Sequence, residues 1–369
     1  MKFICETTLL SDACQNVQRA VSTKNAIPAL EGIYLKALGN EVILTGYDLE
    51  VGINTSVTAM VDENGGIVLN ARVLCDILRK LPGETVEIKS DERHMAVITC
   101  GNAVFSLVGI SPKEYPELPS VTGGFPIVIS QELLREMIRQ TIFAVATSDT
   151  KVVHTGIKFE ISENLIKLIA VDGFRLAIRK EAINYSGEFT TFIVPSKTLS
   201  EAVKLFGSGD ETISISVGKK HLIFEIGSYS VVSRLLDGEF LNYNSAIPVE
   251  CATKVKVETR SFIDSLERIS LIITDKIKSP IRCAFKDNNI NVSSTTALGS
   301  ANDAVSASIE GADLDIGFNN RFLIEALRVC DTDEVNIKLN GSVAPILILP
   351  PQGDSFLFLI LPVRLKSDV

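Results

Sequence analysis

Two aspartates, Asp48 in GYDLEV and Asp172 in VDGFRL, stand at matching places near the ends of separate hairpin-like segments. Paired carboxylates can divide acid and base roles in a hydrolase, but an aspartate at a hairpin end more often accepts backbone hydrogen bonds and fixes the turn. A third segment of the same kind reads TTALGS and has no acidic residue there, which favours the turn role. The three histidines, His94, His154 and His221, have no second ligand type at metal-binding spacing. No G-x-S-x-G elbow, Walker A loop or strand-following G-x-G-x-x-G is present. Cys5, Cys14, Cys75, Cys100, Cys251, Cys283 and Cys330 are scattered, odd in number and never form C-x-x-C. They read mostly as small buried apolar side chains, with no disulfide framework or zinc site. These residues point away from an enzyme, and no catalytic residue, metal or cofactor is expected.

The elements that carry these residues recur with a period of roughly 125 residues. An amphipathic helix is predicted over Leu9–Thr23, Leu133–Thr147 and Phe262–Thr274, where apolar residues return at helical spacing. A strand pair follows each time, its polar turns placed at Gly39-Asn40, Glu163-Asn164 and Asn288-Asn289. A second helix begins near Asn70, Pro195 and Asn319, with Ser196 the expected N-cap of the middle one. More strands then close each third. The Pro- and Gly-rich stretch Ser111–Pro126 and its counterpart Phe240–Lys254 place domains at 1–122, 123–250 and 251–369. With two helices apiece, each domain is expected to be α+β, its helices packed on one side of antiparallel sheets.

The 369 residues are too many for one core, and 46% hydrophobic with 22% charged residues fits folded globular domains. No apolar run is long enough to span a bilayer and no basic-then-apolar leader is seen, so a cytoplasmic protein without a membrane partner is expected. The net charge of −9 at first argues against a nucleic-acid binder. Charge is sorted by element, however: the six helical segments sum to roughly +6 and everything else to roughly −15. Solvated helix faces often carry Lys and Arg. The other reading is six helices turned toward a common polyanion, with non-specific, salt-dependent contacts. No helix clusters the Arg, Asn and Gln needed to read bases.

Three motifs narrow the choice: VDGFRLA (Val171–Ala177), LLDGEFLNYNSAIP (Leu235–Pro248) and LPVRL (Leu361–Leu365). In order and spacing they resemble segments of the bacterial sliding clamp family, the beta subunit of DNA polymerase III. The first is similar to that family's T-D-G-x-R-L-A, the second to its L-x-G-x-F-P-D-Y-x-x-x-x-P linker, and the third to its ending. The resemblance covers the whole chain. It implies a head-to-tail homodimer, a six-domain ring whose helices line a hole for double-stranded DNA. It also implies a groove for short Leu/Phe peptides of the replicative polymerase subunit, the clamp loader and repair proteins.

By the same resemblance, that groove takes Gly173, Phe174, Arg175 and Leu176, with His154, Leu241, Ser245 and Ala246, and Ile360, Leu361, Pro362, Val363 and Arg364. Arg175 and Arg364 are its candidate orienting groups. Lys24, Arg72 and Ser148 match the family's DNA-contact positions, and Arg79, Lys80, Lys197 and Lys204 are added from helix location and charge. Phe105 and Leu107 on an edge strand are paired with Ile272 and Ile273 for ring closure. The sequence departs from the family at Leu241, where Pro is usual, at Asn244-Ser245, where basic residues are common, and at His154, where Leu is frequent. It also continues as KSDV past Arg364-Leu365. A scaffold that never touches DNA would share the fold and the groove, and the basic helices weigh against it.

Overall fold

The computed structural model describes residues 1–22, 26–121, 125–273 and 279–365. The first third runs β1 (Lys2–Glu6), α1 (Thr7–Val17), β2 (Gly32–Leu38), β3 (Glu41–Tyr47), β4 (Val51–Thr58), β5 (Met60–Glu63), β6 (Gly65–Asn70), α2 (Ala71–Leu78), β7 (Thr85–Ser90), β8 (Met95–Cys100) and β9 (Ala103–Val108). The second runs β10 (Ile127–Ser130), α3 (Gln131–Ile142), β11 (Gly156–Ser162), β12 (Leu165–Val171), β13 (Arg175–Ala182), β14 (Thr190–Pro195), α4 (Ser196–Val203), β15 (Thr212–Val217), β16 (His221–Ile226) and β17 (Tyr229–Arg234). The third runs β18 (Thr253–Glu258), α5 (Thr259–Ser270), β19 (Ile281–Lys286), β20 (Asn289–Thr296), β21 (Gly299–Gly311), β22 (Leu314–Phe318), α6 (Asn320–Arg328), β23 (Glu334–Leu339), β24 (Ile346–Leu349) and β25 (Phe356–Ile360).

The succession repeats three times, with local differences from the sequence reading. Each repeat opens on a strand rather than a helix. The runs KFICE, IVIS and TKVKVE pass into their helices with no turn residue between, so the strand and helix patterns merge. The first helices accordingly start two or three residues early and end at Val17, Ile142 and Ser270. Asn70 and Asn319 cap α2 and α6 by accepting from the Val73 and Arg321 amides at 3.1 and 3.0 Å. Ser196 is not an N-cap. Strand β14 ends on Pro195, paired to Gly156, and Ser196 is already the first helical residue. The third hairpin turn lies at Asp287-Asn288, one residue before the expected pair, and both residues have left-handed φ of 53° and 54°. That register puts Phe285 opposite Ile290, both fully buried.

By contact the chain divides into two compact units, Met1–Leu133 with Lys197–Leu235 and Leu134–Ser196 with Leu236–Val369. The division passes through the second repeat because sheets run from one repeat into the next. In the first unit, β17 pairs with β4, so an eight-stranded sheet reads β10-β15-β16-β17-β4-β3-β2-β6, beside the five-stranded sheet β5-β1-β7-β8-β9. In the second unit, β25 pairs with β13 within the twelve-stranded sheet β14-β11-β12-β13-β25-β24-β23-β18-β21-β20-β19-β22. The last strand of one repeat thus closes an edge of the repeat before it, which removes unpaired backbone from solvent. Each repeat also ends with the chain crossing back onto its own sheet: Ile110 exchanges hydrogen bonds with Val68, Leu236 donates to Ile193, and Val363 donates to Gly317 at 2.7 Å.

Helix α1 packs against α2, and α5 against α6. Buried faces such as Leu10, Ala13, Cys14 and Val17 on α1 and Phe262, Leu266 and Ile269 on α5 fill the cores. Five of the seven cysteines are buried, and burial raises the Cys14 and Cys283 thiols well above their usual range.

Candidate functional site

Asp48 and Asp172 build the same turn in two repeats. Asp48 Oδ1 accepts from the amides of Glu50 and Val51 at 2.9 and 2.7 Å; Asp172 Oδ1 accepts from those of Phe174 and Arg175 at 2.9 and 3.0 Å. Each is a turn brace, not an acid or base. Among the described residues, no group of three His, Cys, Asp or Glu side chains is arranged to hold a metal.

The second turn stands beside an apolar patch on the twelve-stranded sheet. Antiparallel register sets Arg175 opposite Ile360 and Leu176 opposite Leu359, and Leu361 N donates to Phe174 O at 2.8 Å. Leu176, Ile169, Val171, Leu347 and Leu359 form a buried cluster, and the linker segment lays Tyr243, Phe240 and Ile247 over it. Leu241, Ser245, Ala246, Gly173 and Phe174 are exposed on the second unit, as are Leu361, Val363 and Arg364, while Pro362 is half-buried and Ile360 is buried. His154 is buried too, with its ring edge-on to Phe240 at 5.3 Å. Burial, with Lys151 nearby, holds its pKa below the usual imidazole value, so the neutral ring is favoured.

A polar anchor fixes the linker. Tyr243 OH donates to Glu160 Oε2 at 2.8 Å, and Lys158 Nζ reaches Glu160 Oε1 at 2.8 Å. Burial alone would raise the Glu160 carboxyl, but the hydrogen bonds from Lys158 and Tyr243 outweigh it and leave the group below its ordinary value. A parallel arrangement occurs in the first unit. Tyr115 packs on Tyr34 and donates to Thr45 O, and Leu118 fills the space that a side chain at Gly52 would need. Two linkers, each with a tyrosine strap, therefore cover matching faces. The shared tyrosine of PKEYPEL and EFLNYNS was the sequence signal for Tyr243; Lys158, Glu160 and Leu347 had none.

Arg175 differs from the sequence expectation. Its side chain is only 6% exposed, held by Asp172 Oδ2 at 2.9 Å and by Glu325. Its guanidinium lies over Phe322 at 4.4 Å and Phe143 at 5.3 Å. A guanidinium enclosed this way braces the turn from below, whereas Arg364 stays exposed.

Arg72 is on α2, and Arg79 and Lys80 lie just beyond it, all exposed; Arg72 and Arg79 share Asp76 at 3.9 and 3.4 Å. Lys197 and Lys204 belong to α4 and its end, and they meet Asp48 at 2.6 Å and Glu201 at 2.7 Å. Ser148 is exposed before a short 3₁₀ segment, and Lys24 lies outside the described residues. Carboxylate partners thus temper the positive charge of these helices. Phe105 and Leu107 sit on β9, which among the described residues pairs with β8 alone and also exposes Val104 and Val108. Ile272 and Ile273 are half-buried just past α5, beside the exposed Leu271.

Three models of one family tile the chain: the DNA polymerase III beta subunit N-terminal domain at residues 1–119, central domain at 128–242 and C-terminal domain at 244–364. The chain belongs to the DNA polymerase III beta subunit family. It is 33% identical to proteins named beta sliding clamp from Staphylococcus epidermidis and Staphylococcus aureus, over 99% of both chains. Its structure is similar to a DNA polymerase sliding clamp from Bacillus subtilis, with a TM-score of 0.97 and 32% identity, covering 99% of this chain and 100% of that one. It is also similar to a putative DNA polymerase III beta subunit from Eubacterium rectale, with a TM-score of 0.96, 36% identity and the same coverage. The family models follow the threefold repeat seen in the fold.

Proposed function

We propose that the chain is a sliding clamp of DNA replication, a non-enzymatic processivity factor that closes as a homodimer around duplex DNA and tethers polymerases. The observation that carries this reading is one strand pairing used twice and left open at both ends. Strand β17 adds to β4, and β25 adds to β13. Among the described residues, β9 lacks an outer partner, and the Gly299–Ser306 half of β21 pairs with β20 alone. Adding β9 of one copy to β21 of another repeats the same joint head to tail, and two copies complete six repeats. Phe105 and Leu107 on one side, and Ile272 and Ile273 on the other, supply apolar contacts at that joint.

The helices would face the enclosed duplex, with Lys24, Arg72, Arg79, Lys80, Ser148, Lys197 and Lys204 as its contacts. Weak contacts suit a topological binder, because retention depends on closure and not on affinity. The groove takes a short peptide with Leu and Phe anchors, carried by the polymerase subunit, the clamp loader and repair proteins. The cluster around Leu176 forms its floor; His154, Gly173, Phe174, Leu241, Ser245, Ala246, Ile360, Leu361, Pro362 and Val363 form its walls, and Arg364 is the orienting charge. Domain boundaries fall near residues 122 and 250, and the protein works in the cytoplasm. No helix among the described residues is long and apolar enough to cross a membrane.

The test is primer extension by the cognate polymerase and clamp loader, with a DNA trap limiting each polymerase to one binding event. Addition of the protein lengthens the products. Unchanged product length would overturn the proposal.

A further inference from the structure

The enclosed Arg175 is one end of a longer charge chain. Glu325, on α6, receives Arg175 on one oxygen and Arg321 Nε on the other at 2.7 Å. Arg175 lies 6% exposed beneath the Gly173–Phe174 turn, whereas the Arg321 side chain is 72% exposed on α6. Phe322, next to Arg321, stacks on Arg175 and also on Phe174, with ring centroids 6.1 Å apart in the second pair. Two residues of one helix turn thus touch the turn beside the groove, and a third projects to solvent.

We infer that Arg321 is a DNA-phosphate contact and that Glu325 couples it to Arg175, so that duplex DNA and the groove peptide bind cooperatively. The inference rests on the proposed clamp function, in which α6 faces the duplex. A carboxylate shared between two cations holds each less firmly than it holds one. A phosphate that draws Arg321 away leaves Glu325 to Arg175 alone. Arg175 is then held more tightly between Asp172, Glu325 and Phe322, and the Phe174 turn is ordered before the peptide arrives. An ordered turn lowers the conformational cost of binding. The scale is that of one partly exposed ion pair, about two- to fivefold in affinity. Linkage requires the peptide to tighten DNA binding by the same factor, and added salt weakens the coupling.

The test is fluorescence anisotropy with a fluorescein-labelled synthetic peptide carrying Leu and Phe anchors, with and without a saturating short linear duplex. The wild-type protein binds the peptide about two- to fivefold more tightly when the duplex is bound, a factor set by the same ion-pair scale. R321A changes an exposed side chain. It binds duplex more weakly, and without DNA it takes the peptide at the tighter, DNA-bound affinity, with no further gain on adding duplex. A merely damaged fold would lower that affinity. E325Q binds the peptide with an affinity that duplex does not alter. Equal peptide affinity with and without bound duplex in the wild type, or retained coupling in R321A, would overturn the inference while leaving the groove in place. A peptide that fails to bind the free wild-type protein would overturn the groove reading itself.

Discussion

The repeated aspartate turn supplies its own control for the groove. Replacing Asp172 with alanine removes the acceptor of the Phe174 and Arg175 amides and one of the two carboxylates around Arg175. Losing a side-chain cap costs about 0.5–2 kcal/mol. Weakening a hydrogen bond to a largely buried charge adds about 1.5–3 kcal/mol, so D172A should lose about 2–5 kcal/mol. D48A removes the same cap in the first repeat, but its ion-pair partner Lys197 is 58% exposed. That pair is worth at most about 1 kcal/mol, so D48A should lose about 0.5–3 kcal/mol. Only D172A frees the turn carrying Phe174, and re-ordering about one residue on binding costs about 1–2 kcal/mol, near tenfold in affinity. Urea denaturation and peptide anisotropy measure the two effects. Equal loss of peptide affinity in D48A and D172A, or no loss in D172A, would refute the assignment of this turn to the groove.

Leu176→Ala opens the buried cluster beneath the linker and should lose about 2–5 kcal/mol, along with most peptide binding, read by the same two assays. His154 has a depressed pKa when folded, so the unfolded chain takes up its proton first as pH falls. Stability at this site should be complete above about pH 6.5 and decline below it, and H154L should flatten that part of the urea midpoint-against-pH profile. F105R places a charge on the outer strand β9, where Phe105 is 37% exposed. It should leave the unfolding free energy within about 0.5 kcal/mol of wild type while sedimentation equilibrium shifts from dimer to monomer mass.

The threefold order of elements was legible because helical and alternating periodicities return in register, as in α2, α4 and α6. The strands β1, β10 and β18 were not, since short alternating runs flow into helices without a break. Pairing between repeats was equally hidden: nothing in YSVVSR says that it adds to VGINTSVT, because sheet order depends on partners distant in sequence. At the candidate site, GFRL, the linker and LPVRL were visible as motifs, and their convergence on β13 and β25 follows from the strand register. The motifs did not reveal that Arg175 is enclosed. Its constraints, Glu325, Phe322 and Phe143, come from two other segments and are set only by tertiary packing. Likewise, net helix charge was readable, but the pairing of Lys197 with Asp48 joins residues distant in sequence and is set only by the fold.

The most direct test is retention on DNA. The protein is loaded by a clamp loader onto a nicked circular plasmid, isolated on it by gel filtration, and the plasmid is then cut once with a restriction enzyme. A closed ring stays with the circle and is lost from the linear molecule by sliding off its ends. Equal retention on circular and linear DNA, or failure to load at all, would contradict the account.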